Sequence, residues 1–249
     1  MQLNGKVSLI TGGSGGIGSA TAMELARRGS DIMIVGRHIG SRAESIREEI
    51  GSLGRRCTLL EADLSRPEEA TRSVRETVAL MGGLDVLVHA AGGPAMGNLL
   101  SVASEAWYGT FDTHLHAVFH LCRAAVPYMR EKREGAIVLI ASAAGLRGCV
   151  GAIAYGVAKG ALPQLARSMA RELADDNIRV NAVSPGVIRT HFQDHLTPEQ
   201  VKNNIANRIP LHREGTPQQV AQVIVELATN DYITGETLVI DGGLTMRIA

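Results

Sequence analysis

The 249-residue sequence contains few aromatic residues, 3% against 45% hydrophobic residues overall. A core that must be built from Val, Ile, Leu and Ala is typical of parallel strands buried under helices on both faces, so an aromatic-rich β-sandwich is disfavoured. Lys plus Arg and Asp plus Glu both total 25, and the formal net charge is therefore zero. This balance gives no general attraction to nucleic acid or to an anionic membrane, so any phosphate recognition must be local.

Cysteines and long apolar runs are also scarce. Cys57, Cys122 and Cys149 lack metal-ligand spacing and predict free thiols in a reducing compartment, and we expect all three to be small buried side chains. Charged residues interrupt each apolar run before the roughly 20 residues of a membrane-spanning helix, and the polar start of the chain leaves no room for a signal peptide. We therefore expect a cytoplasmic protein without a metal or a membrane partner.

Strand and helix patterns alternate along the chain. Buried strands are predicted at seven runs rich in Val, Ile and Leu: Val7–Ile10, Asp31–Val35, Cys57–Leu60, Val86–His89, Ala136–Ala141, Arg179–Val183 and Thr237–Ile240. Amphipathic helices are predicted between them: Ala20–Arg28, Ser41–Leu53, Glu68–Met81, Leu162–Ala174 and Gln218–Thr229. Such alternation predicts one doubly wound α/β (Rossmann) domain over residues 1–249, with a seven-stranded parallel sheet covered by helices on both faces. The polar residues 191–217 predict a mobile loop or small helices over a substrate site, or an ordinary surface excursion.

A glycine-rich turn follows the first predicted strand, where residues 11–18 read TGGSGGIG and lead into a helix. Exposed backbone N–H groups and the positive end of the helix dipole bind phosphate at such a turn, and missing β-carbons allow close approach. A tight connection without a ligand is the alternative, but the position between strand and helix favours a dinucleotide. The predicted cofactor contacts here are Gly12, Ser14, Gly16, Ile17 and Gly18.

Three other strand ends extend the predicted cofactor site. Arg37 stands where an acidic residue would bind a ribose diol, so it favours NADP(H) over NAD(H), unless it is a solvated surface charge. Asp63, which precedes Leu64, can meet the adenine amino group or cap the next helix. Small residues that let a cofactor approach the sheet edge follow the fourth strand: Ala90, Ala91 and Gly92.

Tyr155 and Lys159 lie at i and i+4, hence on one helix face, and both can reach one substrate oxygen. The lysine cation is expected to lower the tyrosine pKa toward the range of an acid/base catalyst, and Ser142 can hydrogen-bond the same oxygen. In isolation, a solvated helix face and a turn-starting serine would explain these residues. Their combination with a phosphate-binding turn in one α/β sheet favours catalysis.

Taken together, the motifs resemble the short-chain dehydrogenase/reductase family over essentially the whole chain, including its 3-oxoacyl carrier protein reductase-like members. The glycine turn matches TGxxxGxG, residues 155–159 match YxxxK, and Ser142 precedes the tyrosine by the family spacing. The resemblance implies reversible hydride transfer between NADP(H) and a carbonyl or alcohol substrate. Tyr155 would be the general acid/base, Lys159 would hold the nicotinamide ribose, and Ser142 would orient the carbonyl.

The same resemblance extends to the nicotinamide and to assembly. Contacts to the nicotinamide are implied for Pro185, Gly186, Ile188 and Thr190. A homotetramer or homodimer is also implied, and the apolar, charge-poor Leu115–Tyr128 segment is a helix that can bury one face against a partner.

The sequence departs from the family pattern at two places. His114 stands where an asparagine normally completes a proton relay, and His89 begins the sequence HAAG where the family has NNAG. We hypothesise that activity is retained with a changed pH profile, the alternative being that His114 only packs. His116 and His120 favour a packing or interface role over a metal, and Arg147 is either a contact for an anionic substrate group or a solvated charge.

Two further classes of function remain open from the sequence. A non-catalytic dinucleotide-binding sensor or scaffold would keep the nucleotide site but lose catalytic groups, all of which are present here. Nucleotide-sugar epimerases and dehydratases share the fold, but they have a different glycine spacing and a larger C-terminal substrate domain. Substrate choice depends on variable loops, so 3-oxoacyl thioester, sugar, polyol and steroid substrates are all compatible.

Overall fold

The computed structural model describes residues 1–194 and 196–246, and within them lies a seven-stranded, fully parallel sheet. The strands occur in the order β3-β2-β1-β4-β5-β6-β7, with the crossover point between β1 and β4. Their bounds are β1 Val7–Thr11, β2 Asp31–Gly36, β3 Cys57–Glu61, β4 Val86–His89, β5 Gly135–Ile140, β6 Ile178–Pro185 and β7 Thr237–Ile240. The predicted doubly wound α/β fold with seven parallel strands is therefore confirmed.

Helices connect the strands and cover both faces of the sheet. They are α1 Gly16–Arg27, α2 Ser41–Ser52, α3 Pro67–Met81, α4 Ser104–Phe111, α5 Ala117–Lys132, α6 Ile153–Leu173, α7 Pro198–Asn203 and α8 Pro217–Thr229. Helix α8 shows why such elements begin where they do: proline occupies its first turn, and the side chains of Thr216 and Gln219 form a capping box. No helix in the described part of the chain is long and apolar enough to cross a membrane.

The sheet separates two apolar cores because successive side chains of a strand point to opposite faces. Leu9 of β1 and Ile137 of β5 belong to the core under α3, α5 and α6. Ile10 of β1 and Val138 of β5 belong to the core under α1, α2 and α8. None of the eight aromatic side chains, all of which lie in the described residues, is buried in either core.

A buried arginine ties β6 to the end of α8. The guanidinium of Arg179 donates to the carbonyl oxygens of Leu227 and Ala228 at 2.6 Å each, and to that of Ile233 at 3.3 Å. The last carbonyls of a helix lack intrahelical partners, so this cation satisfies them and complements the helix dipole.

The structure corrects several sequence-based expectations. Helix α6 begins at Ile153 rather than Leu162, so Tyr155 and Lys159 lie in its first turns. The segment of residues 191–217, apart from residue 195, which lies outside the described residues, contains a 3₁₀ turn at His191–Gln193, α7 and a π-helical turn at Asn204–Arg208. Cys122 is buried and Cys57 half-buried, but Cys149 is exposed, so the expectation of three buried thiols is wrong.

The predicted Leu115–Tyr128 helix is also different from expectation. Its first residues belong to a π-helical turn at Asp112–His116, which we call the π turn, and α5 starts after it. The apolar side chains Val118, Leu121 and Met129 are buried against the sheet. The apolar character of this helix therefore reflects the protein's own core, because its inner stripe packs on the sheet.

Candidate active site

The glycine-rich turn brings β1, α1 and the end of β4 into close contact. Gly12 has φ +67°, and a β-carbon there would lie 2.8 Å from backbone atoms of Ala90 and Ala91. Helix α1 begins at Gly16 with no side-chain hydrogen bond at its N-cap and no acidic residue in its first turn. Its first backbone N–H groups are thus available to an anion, and the local field favours negative charge.

Arg37 follows β2 and is exposed beside this turn. A β-carbon on Gly36 would lie 3.6 Å from the Ser14 hydroxyl, so the end of β2 adjoins the glycine turn. Arg37 also contributes to the lowered pKa of Asp63, behind the larger effect of the Ser65 side chain. The corner of the sheet that would receive an adenosine phosphate therefore carries the Arg37 cation after β2, while the Glu61 carboxylate of β3 accepts from the Ile39 N–H at 3.1 Å.

Asp63 and Leu64 have local structural contacts. One carboxylate oxygen of Asp63 accepts from the Ser65 backbone N–H at 3.1 Å and from its hydroxyl at 2.8 Å. The N-cap of α3 is Arg66, so Asp63 shapes the approach to that helix rather than capping it directly. The Leu64 side chain is buried in the core, which leaves only its backbone for a ligand.

The chain after β6 crosses from the sheet edge to the glycine turn. Gly186 packs on Asp241, where a β-carbon would lie 2.6 Å from the aspartate Cβ. Ile188 is buried and forms a bridge with Gly215. Thr190 then lies against the glycine turn, because a β-carbon on Gly16 would be 2.3 Å from its methyl carbon. Pro185, Gly186, Ile188 and Thr190 thus lie on one path along the carboxyl edge of the sheet.

Ser142, Tyr155 and Lys159 converge at the end of β5. The side chains of Tyr155 and Ser142 interact, and this interaction acts to lower the pKa of the phenol. The Lys159 ammonium lies 5.9 Å from the centre of the tyrosine ring and donates to the carbonyl oxygen of Ile140 at 2.5 Å. The predicted catalytic residues are therefore brought together, with a phenol, a hydroxyl and an ammonium in one cleft.

Burial sets the acid/base properties of this cleft. Lys159 is 4% exposed, and loss of hydration lowers the pKa of its ammonium to about 7. Burial raises the pKa of Tyr155, while its interaction with Ser142 acts in the opposite direction. The expectation that Lys159 lowers the tyrosine pKa is wrong for this structure, because burial of the phenol has the largest effect on that pKa and raises it.

His114, on the π turn, lies against the catalytic tyrosine. Its ring meets that of Tyr155 edge to face, with centroids 5.4 Å apart, and its Nε2 lies 3.1 Å from the Gly93 carbonyl oxygen. The imidazole fills the space above Gly92, where a β-carbon would come within 2.0 Å of the ring. Burial, together with the nearby charges of Lys159 and His89, lowers the pKa of His114 to about 2. His114 is therefore a neutral wall of the cleft.

An aromatic ring covers Tyr155 at the mouth of the cleft. Phe192 lies over Tyr155 with ring centroids 5.7 Å apart. The β4–α4 and β5–α6 loops pair through Gly97, whose N–H donates to the Gly151 carbonyl at 2.8 Å. This pairing places Met96, 61% exposed, next to the loop that carries Val150, 96% exposed.

Two other candidate residues have ordinary partners. The Arg147 guanidinium donates to the carbonyl oxygens of Thr245 and Leu146, both at 3.2 Å, so it ties the β5–α6 loop to the C-terminal segment. His116 contacts the carboxylate of Asp112 at 2.9 Å on the exposed side of the π turn. Neither arrangement points to a substrate anion or to a metal ion.

Sequence reasoning missed Phe192 and the buried contact of His89 with the Thr11 hydroxyl. The scarcity of aromatic residues was an available signal for the first, because Phe192 is the one aromatic residue of the 191–217 segment. The contacts of His89 depend on strand register, with Thr11 and His89 directly paired, and no sequence pattern reveals them.

Comparisons with known proteins agree with this geometry. A family model described as Enoyl-(Acyl carrier protein) reductase matches residues 12–245. The 3-oxoacyl-[acyl-carrier-protein] reductase FabG of Thermotoga maritima is 36% identical over 248 residues, covering 99% of this chain and 100% of the relative. Oxidoreductase UcpA of Salmonella typhimurium is 34% identical over 255 residues, covering 98% of this chain and 96% of the relative.

Solved structures that are similar to this chain are also short-chain dehydrogenases. A short-chain type dehydrogenase/reductase from Mycobacterium marinum has a TM-score of 0.92 at 31% identity, covering 99% of this chain and 98% of that chain. A putative short-chain alcohol dehydrogenase from Sinorhizobium meliloti also has a TM-score of 0.92 at 31% identity, with both chains fully covered. The similarity therefore extends over the whole fold, including the elements that form the cleft.

Proposed function

Because the chain belongs to the short-chain dehydrogenase/reductase family and is an oxidoreductase acting on a CH–OH or C=O group, we propose that it reduces a carbonyl with NADP(H) and uses Tyr155 as the proton donor. The observation that carries the proposal is the cleft itself. Ser142 interacts with the Tyr155 side chain, the Lys159 ammonium is 5.9 Å from the tyrosine ring, and the chain after β6 connects this cleft to the glycine turn.

The raised pKa of Tyr155 has a direct consequence for the chemistry. A buried phenol keeps its proton at neutral pH and is poised to donate it to a substrate oxygen that gains negative charge. The Ser142 hydroxyl is positioned to donate to the same oxygen, and the Lys159 cation stabilises the phenolate left behind. These roles favour the reductive direction at neutral pH.

The residues fit a phosphorylated dinucleotide. The uncapped start of α1 and the close contact at Gly12 suit a pyrophosphate, and Arg37 suits a 2′-phosphate. Backbone of residues 185–190 and the Lys159 ammonium would hold the nicotinamide end beside Tyr155. When bound, the cofactor supplies the hydride for the carbonyl carbon.

The aromatic ring at the mouth of the cleft supports a substrate whose carbonyl is carried on an apolar chain. Phe192 offers hydrophobic surface over Tyr155, Met96 and Val150 are exposed on the paired β4–α4 and β5–α6 loops, and the Arg147 guanidinium is held by backbone carbonyls. Together with the named activity of the FabG relative, this makes a 3-oxoacyl thioester the first substrate class to test. We further propose that the enzyme is a homo-oligomer.

Support for self-association comes from the aromatic residues. Five of the eight lie on α4 and α5 and are half-buried or exposed in the single chain: Trp107, Tyr108, Phe111, Phe119 and Tyr128. Aromatic side chains are enriched at protein interfaces, where they bury large areas. The outer face of α4 and α5 is therefore the proposed contact, rather than the buried apolar stripe of α5.

The proposal is tested by fluorescence titration with NADPH and NADH, followed by turnover of small ketones and 3-oxoacyl thioesters. We expect tighter binding of NADPH and turnover that Tyr155→Phe abolishes while cofactor affinity stays within about twofold. Tyr232→Phe, which removes a hydroxyl from a 98% exposed ring, is the matched control and should leave turnover unchanged. Tight binding without turnover of any substrate would instead support a nucleotide sensor, and absence of binding would refute the proposal.

A further inference from the structure

A hydrogen-bonded turn follows β7 and has no part in the proposed chemistry. It comprises residues 241–246, and we call it the C-terminal turn. One carboxylate oxygen of Asp241 accepts from the backbone N–H of Gly243 at 2.8 Å, and the other accepts from the backbone N–H of Thr245 at 2.7 Å and from its hydroxyl at 2.6 Å. Because hydrogen bonds to an ionised acceptor are roughly twice as strong as those between neutral groups, this carboxylate stabilises the fold of the turn.

The C-terminal turn depends on this carboxylate because its middle is intrinsically flexible. Gly242 and Gly243 have φ of +64° and +88°, and glycine loses more conformational freedom on folding than any other residue. The backbone contributes only the bonds from the Leu244 N–H to the Asp241 carbonyl at 3.2 Å and from the Met246 N–H to the Gly243 carbonyl at 3.3 Å. Both bonds are long for N–H···O contacts, so the side chain of Asp241 is the main anchor.

The turn packs against the end of the 191–217 segment, which also carries the Phe192 ring over the catalytic tyrosine. The backbone N–H of Leu211 donates to the Gly242 carbonyl at 3.1 Å. A β-carbon on Gly242 would lie 2.8 Å from a methyl carbon of Ile209, whose side chain is buried. No space separates the two pieces of chain, so displacement of the turn must displace the segment as well.

Two other parts of the cleft contact the same turn. Gly186, in the chain proposed to hold the nicotinamide, donates its N–H to the Ile240 carbonyl at 3.0 Å, and a β-carbon there would lie 2.6 Å from the Cβ of Asp241. At the other end of the turn, the Arg147 guanidinium of the β5–α6 loop donates to the Thr245 carbonyl at 3.2 Å. The C-terminal turn therefore joins three pieces of chain that form the cleft.

We propose that Asp241 is a positioning residue: by folding the C-terminal turn, it sets the separation of the three pieces of chain that form the walls of the catalytic cleft. This inference deepens the proposed function and rests on it. Alignment of reacting groups is sensitive to small displacements, and an error of about 1 Å can cost on the order of 100-fold in rate. Loss of the anchor should therefore affect turnover more than binding of the phosphate end of the cofactor.

Kinetics of Asp241→Asn and Thr245→Val in the full-length protein test the proposal. The first replaces one acceptor oxygen by a donor, and the second removes only the hydroxyl. We expect kcat/KM for a ketone or a 3-oxoacyl thioester to fall by about 10- to 100-fold in Asp241→Asn and by less in Thr245→Val. Thr245→Ser keeps the hydroxyl and is the matched control, with kcat/KM expected at the wild-type value. The double variant Asp241→Asn/Thr245→Val should be no worse than Asp241→Asn, because both changes break the same contact.

The affinity for 2′-phospho-ADP-ribose, a probe that lacks the nicotinamide, should stay within about twofold in each variant, because its phosphates bind at the glycine turn and Arg37. Ser73→Ala is the control for a general loss of stability. Ser73 is 0% exposed in α3 and donates to the Glu69 carbonyl at 2.8 Å, so its replacement should lower stability but leave kcat/KM unchanged.

Hydrogen exchange followed by mass spectrometry separates this inference from the proposed activity, because it requires no substrate. Asp241→Asn should speed exchange by about tenfold or more in peptides that cover the Leu211 and Gly186 amides, both of which donate to this part of the chain. Exchange should also rise in residues 146–152 of the β5–α6 loop, which the turn contacts through Arg147. Ser73→Ala should change none of the three regions.

Unchanged exchange in these regions of Asp241→Asn would refute the positioning role, even in a preparation that turns over no substrate. Faster exchange with kcat/KM at the wild-type value would refute it too, as would an equal loss of kcat/KM and of 2′-phospho-ADP-ribose affinity. A wild-type protein that binds the probe but turns over no substrate would refute the proposed reductase activity, and the exchange data would then decide the inference alone.

Discussion

Replacing Lys159 tests whether burial of its ammonium lowers the free energy of unfolding, because this cation is buried in the proposed active site at a cost in stability. Its pKa falls from the ordinary 10.5 to about 7 on folding. At about 1.36 kcal/mol per pKa unit, this difference corresponds to about 5 kcal/mol when the lysine is protonated in both states. The full cost is present below pH 7, where the lysine is protonated in both the folded and the unfolded state. Between pH 7 and 10.5 only the unfolded chain binds the proton, so the cost falls as the pH rises and vanishes above 10.5.

Lys159→Met removes the charge while keeping an unbranched apolar side chain in the cavity. At pH 7 the variant escapes a cost of about 4 kcal/mol but loses the hydrogen bond to the Ile140 carbonyl, worth about 1 to 3 kcal/mol. The net gain of about 1 to 3 kcal/mol should raise Tm by about 2 to 12 °C for a chain of this size. The same variant should lose nearly all turnover, because the proposed phenolate loses its cation.

Scanning calorimetry at equal protein concentration, at pH 7 and pH 9, measures both the sign and the pH dependence. The gain should shrink toward zero at pH 9, where the cost of the buried cation has fallen to about 2 kcal/mol. Lys202→Met, on the exposed side of α7, is the matched control and should change the free energy of unfolding by less than about 0.5 kcal/mol. A less stable Lys159→Met protein, or a gain that is the same at both pH values, would refute the reasoning.

Four other outcomes are expected. Arg37→Asp should weaken NADPH binding by at least about tenfold while leaving NADH binding unchanged or improved, measured by fluorescence titration; equal weakening of both would contradict the 2′-phosphate role. Arg179→Met should destabilise the fold by about 2 to 4 kcal/mol in urea unfolding, because it frees the buried carbonyls at the end of α8, and an unchanged midpoint would count against that contact. His114→Asn should leave the pH profile of kcat unchanged above about pH 5, because the buried imidazole is neutral there, and a shifted profile would mean that His114 takes part in proton transfer. Phe119→Asp should lower the molar mass measured by light scattering, because it places a charge in the proposed contact between subunits. An unchanged molar mass would mean that the interface does not include Phe119.

The fold followed from the sequence because its signals are local and repeated. Seven Val-, Ile- and Leu-rich runs alternate with amphipathic helices, and such alternation has one common solution, a parallel sheet between two helical layers. The short-range spacing of residues 155–159 likewise required no tertiary information to place two side chains on one helix face.

The sequence was a poor guide to burial, packing and pKa values, because these properties depend on the surroundings of a residue in the folded chain. Composition indicated that all three cysteines are buried, but Cys149 lies in an exposed loop. The apolar Leu115–Tyr128 segment was interpreted as a helix that can bury one face against a partner; its inner stripe, which includes Leu121, packs in the protein's own core, and contact with a partner stays a prediction for the outer face. The cationic neighbour of Tyr155 was expected to lower its pKa, yet burial of the phenol raises it.

The sequence by itself determined the order of elements, the glycine turn and the pairing of Tyr155 with Lys159, because each depends on neighbours within a few positions. Only the tertiary structure decided the contacts, the burial and the pKa values of those residues. Strand register placed His89 beside Thr11, the turn after β6 placed Phe192 over Tyr155, and burial set the proton affinities of Lys159 and Tyr155. Desolvation and long-range contact are properties of the packed chain, and no local pattern encodes them.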